Sequence, residues 1–320
     1  KFKSISGNSS GNSEKGISPI VKHQGESLFK KGIQIDYFTI KGKGFLGYLR
    51  SIPQIRIKLK NNKYDTIHAH YSLSALAASL AGAKPLVVSL MGSDIKSNSY
   101  IIFFIRLFNK FTFSKIIVKS EDMKVSLDIE KVSVIPNGVD INLFKPLNQE
   151  ECKNLLNWDS NKKQILFAAN PKRHEKNYEL AQEAFYLIKN SDCELKFLDN
   201  VPDREMPTYY NAADVIFLTS LWEGSPNVIK EAMACNRPIV ATNVGDISWL
   251  LNNISGCFIT GFNSKEISDK LQLALAFSEI TKMTMGNNRL LELALDSDSV
   301  AEKIVKLYRI NHHKTKNELR

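Results

Sequence analysis

The chain of 320 residues lacks several features that would place it in a familiar class. No apolar run approaches the ~20 residues that a helix needs to cross a bilayer, and no signal peptide opens the sequence. The four cysteines stand at least 22 positions apart, so no CxxC pair suggests a metal site. These absences favour a cytoplasmic protein whose thiols are reduced and buried.

Acidic residues are missing between Lys41 and Lys63, where seven basic residues alternate with apolar and aromatic ones. This pattern predicts an amphipathic segment that either lies on an anionic membrane or packs its apolar stripe on its own domain. The basic excess belongs to the first half, because residues 1–150 hold 22 basic and 11 acidic residues, a net charge of +11. The aromatic-rich residues 99–113 predict a buried helix, which could also extend the basic membrane surface.

Short apolar runs alternate with helical stretches along the chain, which predicts an α/β fold with parallel sheets. The pattern restarts near the middle, so we predict one domain over 1–146, a second over 147–298, and a C-terminal crossover helix and tail over 299–320. Residues 1–6 are too few and too polar for an apolar first strand, and that strand is expected to be incomplete. The polar loop that follows contains Gly11 and permits a close backbone approach to a ligand, although a plain mobile loop is the alternative.

The richest stretch of the sequence is TSLWEGSPNVIKEAMACNRPIVATNVGD, residues 219–246. Two glutamates, Glu223 and Glu231, stand eight positions apart on either side of a predicted helix start. Pro226 suits the first turn of a helix, where its missing N–H costs nothing. The unpaired amides of a helix N-terminus attract phosphate, and a carboxylate can accept hydrogen bonds from a pair of hydroxyls. This combination suits a nucleotide sugar, but acidic residues also occur near helix starts because they complement the dipole. Ser225 could equally be a simple helix cap.

Polar residues also follow other predicted strands. His70 emerges at the end of a buried strand over 64–70, at the edge where open α/β sheets bind ligands. His68 and His70 lack a third metal ligand, so a metal site is not predicted. Arg173 and Lys176 precede the helix predicted over 178–189 and could clamp a diphosphate, although a solvated basic turn is the alternative.

With these residues assembled, the chain resembles the retaining glycosyltransferases of family 4, of the polysaccharide-biosynthesis type. The resemblance rests on five motifs spread over nearly the whole length: IHAHY at 67–71, MGSD at 91–94, IPNGVD at 135–140, RHEKN at 173–177 and EGSPNVIKEAMACNRPIVAT at 223–242. The last of these is the E-x7-E signature and is highly specific. The resemblance implies the GT-B fold, in which two facing Rossmann-like domains carry parallel sheets and a C-terminal helix packs back on the N-terminal domain.

The resemblance also implies a role for each matching residue. Glu231 would hold the ribose hydroxyls, and Glu223 would contact the donor sugar. Arg173 and Lys176 would bind the diphosphate and stabilise charge on the leaving group, while His70 would lie in the cleft. The remaining donor contacts would come from Gly224, Ser225, Pro226, Asn227 and Val228, from Val201 near the base, and from Gly11.

This chain departs from the family pattern at several positions. Met91 stands where many members carry a histidine that is assigned to the donor sugar, so that role is unfilled or moves to His70. The loop around Gly11 lacks the usual Gly-Gly pair. Ala169-Asn170 replaces the usual Gly-Arg after a strand, and the arginine follows three residues later, which favours Lys176 over Arg173 as the diphosphate ligand.

The expected activity is hexosyl transfer with retention, from a nucleotide sugar such as a UDP-sugar to a glycan or lipid-linked glycan in cell-surface polysaccharide biosynthesis. No cofactor and no metal are expected, since no DxD pair presents itself as a metal site, and no nucleic-acid partner is expected. The alternatives are a GT-B nucleotide-sugar epimerase and, more remotely, a basic nucleic-acid-binding protein. The expected location is the cytoplasm, with the basic segments 41–63 and 99–115 touching the inner face of an anionic membrane.

Overall fold

The computed structural model describes residues 2–8, 16–40, 44–92, 99–130, 132–188 and 192–318. The chain forms two compact units, one made of Lys1–Gly138 with Ser297–Arg320 and the other of Val139–Asp296. The units therefore divide at Gly138 and at Asp296, whereas the sequence pattern predicts borders at 146 and 298.

The first unit is built on a parallel sheet that has six strands in the described part of the chain. These are β1 (Phe2–Asn8), β2 (Ile33–Thr39), β3 (Thr66–His70), β4 (Leu86–Ser89), β5 (Phe113–Val118) and β6 (Val132–Val134), in the order β2-β1-β3-β4-β5-β6. Its helices include α1 (Pro19–Lys30), α2 (Gly44–Asn61), α3 (Ser72–Leu80), α4 (Ser99–Phe111) and α5 (Glu121–Leu127). The strand–helix alternation of the sequence thus correctly predicts a parallel sheet.

The second unit repeats this architecture with five described strands in the order β11-β10-β9-β7-β8. They are β7 (Lys163–Phe167), β8 (Cys193–Phe197), β9 (Val215–Leu218), β10 (Ile239–Thr242) and β11 (Cys257–Thr260). The helices around them include α6 (Gln149–Leu155), α7 (Tyr178–Tyr186), α8 (Met206–Ala212), α9 (Asn227–Ala234), α10 (Ile247–Leu251), α11 (Ser264–Ile280) and α12 (Gly286–Glu292). The central strands β9 and β10 are buried throughout, and β7 is buried except at Lys163, as expected for a parallel sheet that is covered on both faces.

The first strand corrects a prediction. Residues 2–8 form β1, which lies between β2 and β3 and pairs with both in parallel register, Ile5 facing Asp36 on one side and Ile67 on the other. The expectation that this strand is too short and polar was wrong. A strand that is hydrogen-bonded on both sides is held by its backbone groups. The polarity of its side chains therefore does not show whether it is paired.

The C-terminal helix α13 (Ser297–Glu318) belongs to the first unit, as the resemblance implies. Its buried residues Val300, Ile304 and Tyr308 share an apolar cluster with Leu28 of α1 and Ile33 of β2. Lys31 also forms an ion pair with Glu302 at 2.7 Å. The chain thus returns from the second unit and packs its last helix on the first.

Helix α4 corrects a second prediction, because it is not a buried helix. Only Ile105 is fully buried among its described side chains. Five large apolar residues remain exposed: Tyr100, Phe103, Phe104, Leu107 and Phe111. An apolar composition shows that a helix is hydrophobic but does not show what covers it. In the part of the chain that the structure describes, no helix is long and apolar enough to span a bilayer.

Candidate active site

The candidate site lies at the carboxyl edge of the second sheet. The chain runs from β7 outward to β8 and then returns to β9 on the other side of β7, so the strand order switches between β7 and β9. Ligands of open α/β sheets bind at such a switch point. The loops that leave β7, β9 and β10 carry residues 168–177, 219–226 and 243–246, which include most of the residues predicted from the sequence.

Helix α9 begins between the two glutamates, within one residue of its predicted start at Val228. Pro226 occupies the cap position with φ −68° and offers no side-chain acceptor to the first turn. Ser225 is therefore not the cap, and its hydroxyl is buried without a hydrogen-bond partner among the described residues. The amides of the first turn of α9 thus have no side-chain cap and remain suited to an anionic ligand.

Lys176 and Glu223 form an ion pair across the switch point. Their side chains are only 8% and 14% exposed, so the charges face little water. The Ser220 hydroxyl donates a second hydrogen bond to the same oxygen of Glu223, Oε1, at 2.7 Å. Lys176 comes from the loop after β7 and Glu223 from the loop after β9, so the pair joins the two strands where the topology switches.

Further hydrogen bonds join the two loops. The Thr219 hydroxyl donates to the carbonyl oxygens of Lys176 and Asn177 at 3.0 and 2.9 Å. The Leu221 amide donates to the Glu175 carbonyl at 2.9 Å. Asn177 adopts a left-handed conformation, φ 53°, between the 3-10 turn His174–Lys176 and α7. These contacts fix the backbone at Lys176. The ammonium group of Lys176 is therefore preorganised before substrate binds.

Arg173 lies in the same loop but in a different environment. Its side chain is 58% exposed and pairs with Glu175 two residues later. Burial raises the pKa of Glu175, but hydrogen bonds from its own backbone and from Arg173 outweigh burial and leave the pKa lowered. Lys176 is thus the more buried of the two predicted diphosphate ligands.

Glu231 occupies the second turn of α9 and is half-buried. The hydroxyl of Tyr210, a fully buried residue of α8, donates to Glu231 Oε2 at 2.7 Å. Burial raises the pKa of Glu231 to about 7, although Tyr210 and Lys230 oppose the shift. The sequence reasoning missed Tyr210, whose only signal was its place in the short helix before β9.

The loop after β10 supports the loop that carries Glu223. Gly245 has φ +61°, and a Cβ on it would lie 2.5 Å from the Gly224 carbonyl oxygen and 3.0 Å from that of Glu223. Burial raises the pKa of the neighbouring Asp246 to about 6, although Lys230 lowers it. Ser225 approaches the Asp246 carboxylate closely enough to lower this pKa, but the two fall short of a hydrogen bond.

Gly245→Ala is expected to lower stability and transfer together. The left-handed backbone costs an alanine about 1–2 kcal/mol, and the clash with the Gly224 carbonyl displaces the loop, which we expect to slow transfer about tenfold. Gly256→Ala is the matched control, since Gly256 also has a positive φ and the atoms nearest to its Cβ would be those of the Phe277 ring rather than a backbone carbonyl. Thermal unfolding and steady-state kinetics separate the effects. Equal kinetic losses in both variants would contradict a specific role of the Gly245 contact.

The other predicted residues lie apart from this cluster. Val201 follows β8 at the same edge of the sheet, where it packs against the core. His70 belongs to the first unit, at the end of β3, and stacks on His68 with ring centroids 4.2 Å apart. Burial and, to a lesser degree, Lys119 lower the pKa of His70 to about 3, so its imidazole is neutral. Gly11 lies outside the described residues. Among the described residues no cluster of three or more His, Cys, Asp or Glu side chains could hold a metal ion.

Both halves of the chain match models of known glycosyltransferase families. Residues 21–143 match the model described as Glycosyltransferase Family 4, and residues 172–276 match the one described as Glycosyl transferases group 1. The chain belongs to family 4 of the glycosyltransferases. The second match covers Lys176, Glu223 and Glu231, so the residues brought together at the switch point lie inside the family's own domain. The comparisons give the epimerase alternative no support.

Two curated relatives illustrate the family. A UDP-Gal:alpha-D-GlcNAc-diphosphoundecaprenol alpha-1,3-galactosyltransferase from Escherichia coli is 28% identical over 259 residues, which are 67% of this chain and 67% of the relative. The putative teichuronic acid biosynthesis glycosyltransferase TuaC from Bacillus subtilis is 26% identical over 58% of this chain. That alignment spans 55% of TuaC's own length.

Solved structures with the same fold cover nearly the whole chain. A sucrose-phosphate synthase from Thermosynechococcus elongatus superposes with a TM-score of 0.83 at 16% identity, over 97% of this chain and 98% of that one. HepE from Anabaena, in complex with UDP-glucose, superposes with a TM-score of 0.76 at 18% identity, over 96% and 99%. These likenesses confirm the GT-B fold, with two Rossmann-like domains.

Proposed function

We propose that the chain transfers a hexose with retention from a UDP-sugar to a glycan or lipid-linked glycan in cell-surface polysaccharide biosynthesis. The observation that carries the proposal is the arrangement around α9: the Lys176–Glu223 pair and the Glu231 carboxylate flank a helix N-terminus at the switch point of the sheet. A helix start favours phosphate, and a carboxylate suits a ribose diol.

Each residue then has a defined task. Glu231 accepts hydrogen bonds from the ribose hydroxyls, and the amides at the start of α9 meet the diphosphate. Lys176 neutralises the charge that grows on the diphosphate as the bond to the sugar breaks, and Arg173 adds to this field from its exposed position. Glu223 is already an acceptor of hydrogen bonds from Lys176 and Ser220, and it takes a sugar hydroxyl in the same manner.

We further propose that these residues carry out transfer with retention and without a metal ion. Glu223 is engaged by a lysine and a serine and serves as an acceptor, so the proposal assigns it no role as a covalent nucleophile. The acceptor hydroxyl then attacks from the face that the leaving diphosphate occupies, and the departing phosphate takes its proton. Lys176 and the amides of α9 supply the positive charge that assists departure of the diphosphate, so no metal ion is needed for this purpose.

The relatives support the choice of donor and acceptor. The Escherichia coli relative is named for a UDP-galactose donor and a diphosphoundecaprenol-linked acceptor, and HepE was crystallised with UDP-glucose. TuaC is named for teichuronic acid biosynthesis. These names favour a UDP-sugar and an acceptor that belongs to a surface glycan.

A donor screen tests the proposed function. Nucleotide release is measured across UDP-, GDP- and ADP-sugars, with and without a diphosphoundecaprenol-linked acceptor sugar, in the presence and absence of EDTA. We expect UDP release that depends on the acceptor and persists in EDTA, with an axial anomeric bond in the product by NMR. Preference for a GDP- or ADP-sugar, loss of activity in EDTA or an inverted product would contradict the corresponding part of the proposal.

We also propose that the first unit binds an anionic membrane surface through α2 and α4. Helix α3 packs against both of them. Helix α4 exposes the five apolar residues named above, and α2 exposes Phe45, Leu46 and Ile57 beside the exposed Arg50, Arg56 and Lys60. Exposed aromatic groups insert at the headgroup level, while each basic residue near an anionic surface contributes about 1 kcal/mol. A lipid-linked acceptor would lie in that membrane.

Vesicle sedimentation tests this surface. Replacing Phe103 and Phe111 by serine removes two exposed aromatic groups, each worth about 1.5–3 kcal/mol when buried, so we expect at least tenfold weaker binding to anionic vesicles. Tyr186→Ser is the matched control, since Tyr186 is 76% exposed but belongs to the second unit. Wild-type binding should weaken with salt. Equal binding to neutral and anionic vesicles, or none to either, would count against the proposal.

A further inference from the structure

The hydrogen bond between Tyr210 and Glu231 is the best-defined polar contact of the site beyond the residues already given a task. Tyr210 is fully buried on α8, and its ring packs against Phe144 with centroids 6.0 Å apart. This packing fixes the ring and therefore the hydroxyl, which meets Glu231 Oε2 at 2.7 Å. A half-buried carboxylate is thus held in one orientation by a donor that cannot move away.

The charged neighbours of Glu231 shift its pKa in opposite directions. Lys230, fully buried on the same helix, favours the ionised carboxylate, and Asp203, in the loop before α8, opposes it. Cys235, at the end of α9, is the other ionisable group that senses Glu231. Burial is the largest influence and raises the pKa of Glu231 to about 7, while Tyr210 and Lys230 pull it down. Because burial outweighs these opponents, the pKa of Glu231 lies in the neutral range, and the carboxyl group changes charge there.

We infer that Tyr210 is a positioning residue that orients Glu231 for the donor and favours its ionised form, and that this pair makes nucleotide binding depend on pH near neutrality. The inference rests on the proposed function, in which Glu231 receives the ribose hydroxyls. A ribose diol offers two donors and needs two acceptors. An ionised carboxylate supplies them even while it accepts from Tyr210, whereas a protonated one presents its own O–H and loses an acceptor. Nucleotide binding therefore releases a proton.

The direction of the pH dependence follows from the protonation of Glu231 in the free and the nucleotide-bound protein. In the free protein Glu231 is partly protonated at pH 7, and the bound nucleotide requires the ionised form. Affinity for the nucleotide is therefore full above this pKa and falls as the pH drops through it. Removing the Tyr210 hydroxyl deletes a donor to the ionised form, so the pKa of Glu231 rises further and the loss of affinity begins at a higher pH.

Calorimetric titration with UDP between pH 6.0 and 8.5 tests the inference, using the wild-type chain, Tyr210→Phe and Tyr209→Phe. Tyr209 is the matched control, a neighbour on α8 whose ring packs against Trp158 instead. We expect the wild-type Kd to rise about tenfold from pH 8 to pH 6, and the midpoint to move up by about one pH unit in Tyr210→Phe. Tyr209→Phe should follow the wild type. The titration of UDP itself is common to all three chains and cancels.

Two outcomes would overturn the inference. A Tyr210→Phe profile that superimposes on the wild type would show that the hydroxyl does not govern Glu231. A uniform loss of affinity at every pH would show a purely structural role for the tyrosine. Proton release by the wild-type chain gives a measurement without a variant at Tyr210: at pH 7 we expect about half a proton more than Glu231→Gln releases, and equal release would also overturn it.

The Glu231→Gln variant separates failure of the inference from failure of the proposed function. If Glu231→Gln binds UDP as tightly as the wild type at every pH, or if the wild-type chain does not bind UDP, the proposed function fails and the inference with it. If Glu231→Gln binds weakly with no pH dependence in the neutral range while Tyr210→Phe behaves as the wild type, only the inference fails.

Discussion

Replacing Lys176 by alanine is expected to slow sugar transfer by about 10²–10³-fold, the usual cost of removing one preorganised group that stabilises charge in the transition state. Lys176 is buried, its backbone is fixed by Thr219, and its charge lies beside Glu223 at the switch point. No other basic residue of the loop after β7 is comparably buried, because Lys172 and Arg173 are exposed. Steady-state kinetics with a saturating UDP-sugar measures the effect.

The control for this prediction is Lys172→Ala, which removes a lysine from the same loop, four residues away and exposed to solvent. It should leave transfer within about twofold of the wild type, as is usual for solvated charges. Removing Lys176 also leaves Glu223 without its cation, so thermal unfolding must confirm that the variant is folded at the assay temperature. Full transfer by a folded Lys176→Ala variant would refute its assignment as the cation for the leaving group.

Replacing Glu231 by alanine is expected to weaken UDP binding about 100-fold or more. Two hydrogen bonds from the ribose to a charged acceptor are lost, each worth about 1.5–3 kcal/mol, and every 1.4 kcal/mol corresponds to a factor of ten in Kd. The loss should appear at pH 8, where Glu231 is mostly ionised in the wild type, and should shrink toward pH 6, where the wild type itself binds less well. Transfer at a limiting donor concentration falls with the affinity.

Glu179→Ala is the control for this variant. Glu179 lies in the first turn of the neighbouring helix α7, so it also complements a helix N-terminus at this edge of the sheet, but it is exposed. Its loss should cost only a few tenths of a kcal/mol in stability and leave UDP affinity unchanged. Unaltered affinity in Glu231→Ala would show that the ribose is held elsewhere.

Much of the second unit could be predicted from local patterns. Helix α9 begins within a residue of its predicted position because Pro226 and the small residues before it allow few other starts. The alternation of apolar runs and helices also predicts where the strands before Lys176 and Glu223 end. Parallel strands end at one edge of a sheet, which is why residues separated by 47 positions could be expected to meet there.

Other features depend on contacts that no local pattern records. Strand β1 is held by backbone pairing on both sides, and its polar sequence gives little sign of it. The apolar residues of α4 correctly predict a helix. Whether its apolar side chains are buried depends on what packs against them, which the local sequence does not record. The Tyr210–Glu231 bond joins two helices with a strand between them, and Gly245 matters only because the Gly224 carbonyl lies against it.

Hydrogen exchange of the whole chain with and without UDP tests most directly whether the donor nucleotide binds at the carboxyl edge of the second sheet, around the start of α9. We expect slower exchange at the amides of 224–231, where the phosphate and ribose are bound, and at 173–177 in the loop that carries Lys176. Slower exchange confined to other segments, at a UDP concentration that saturates the chain, would contradict it.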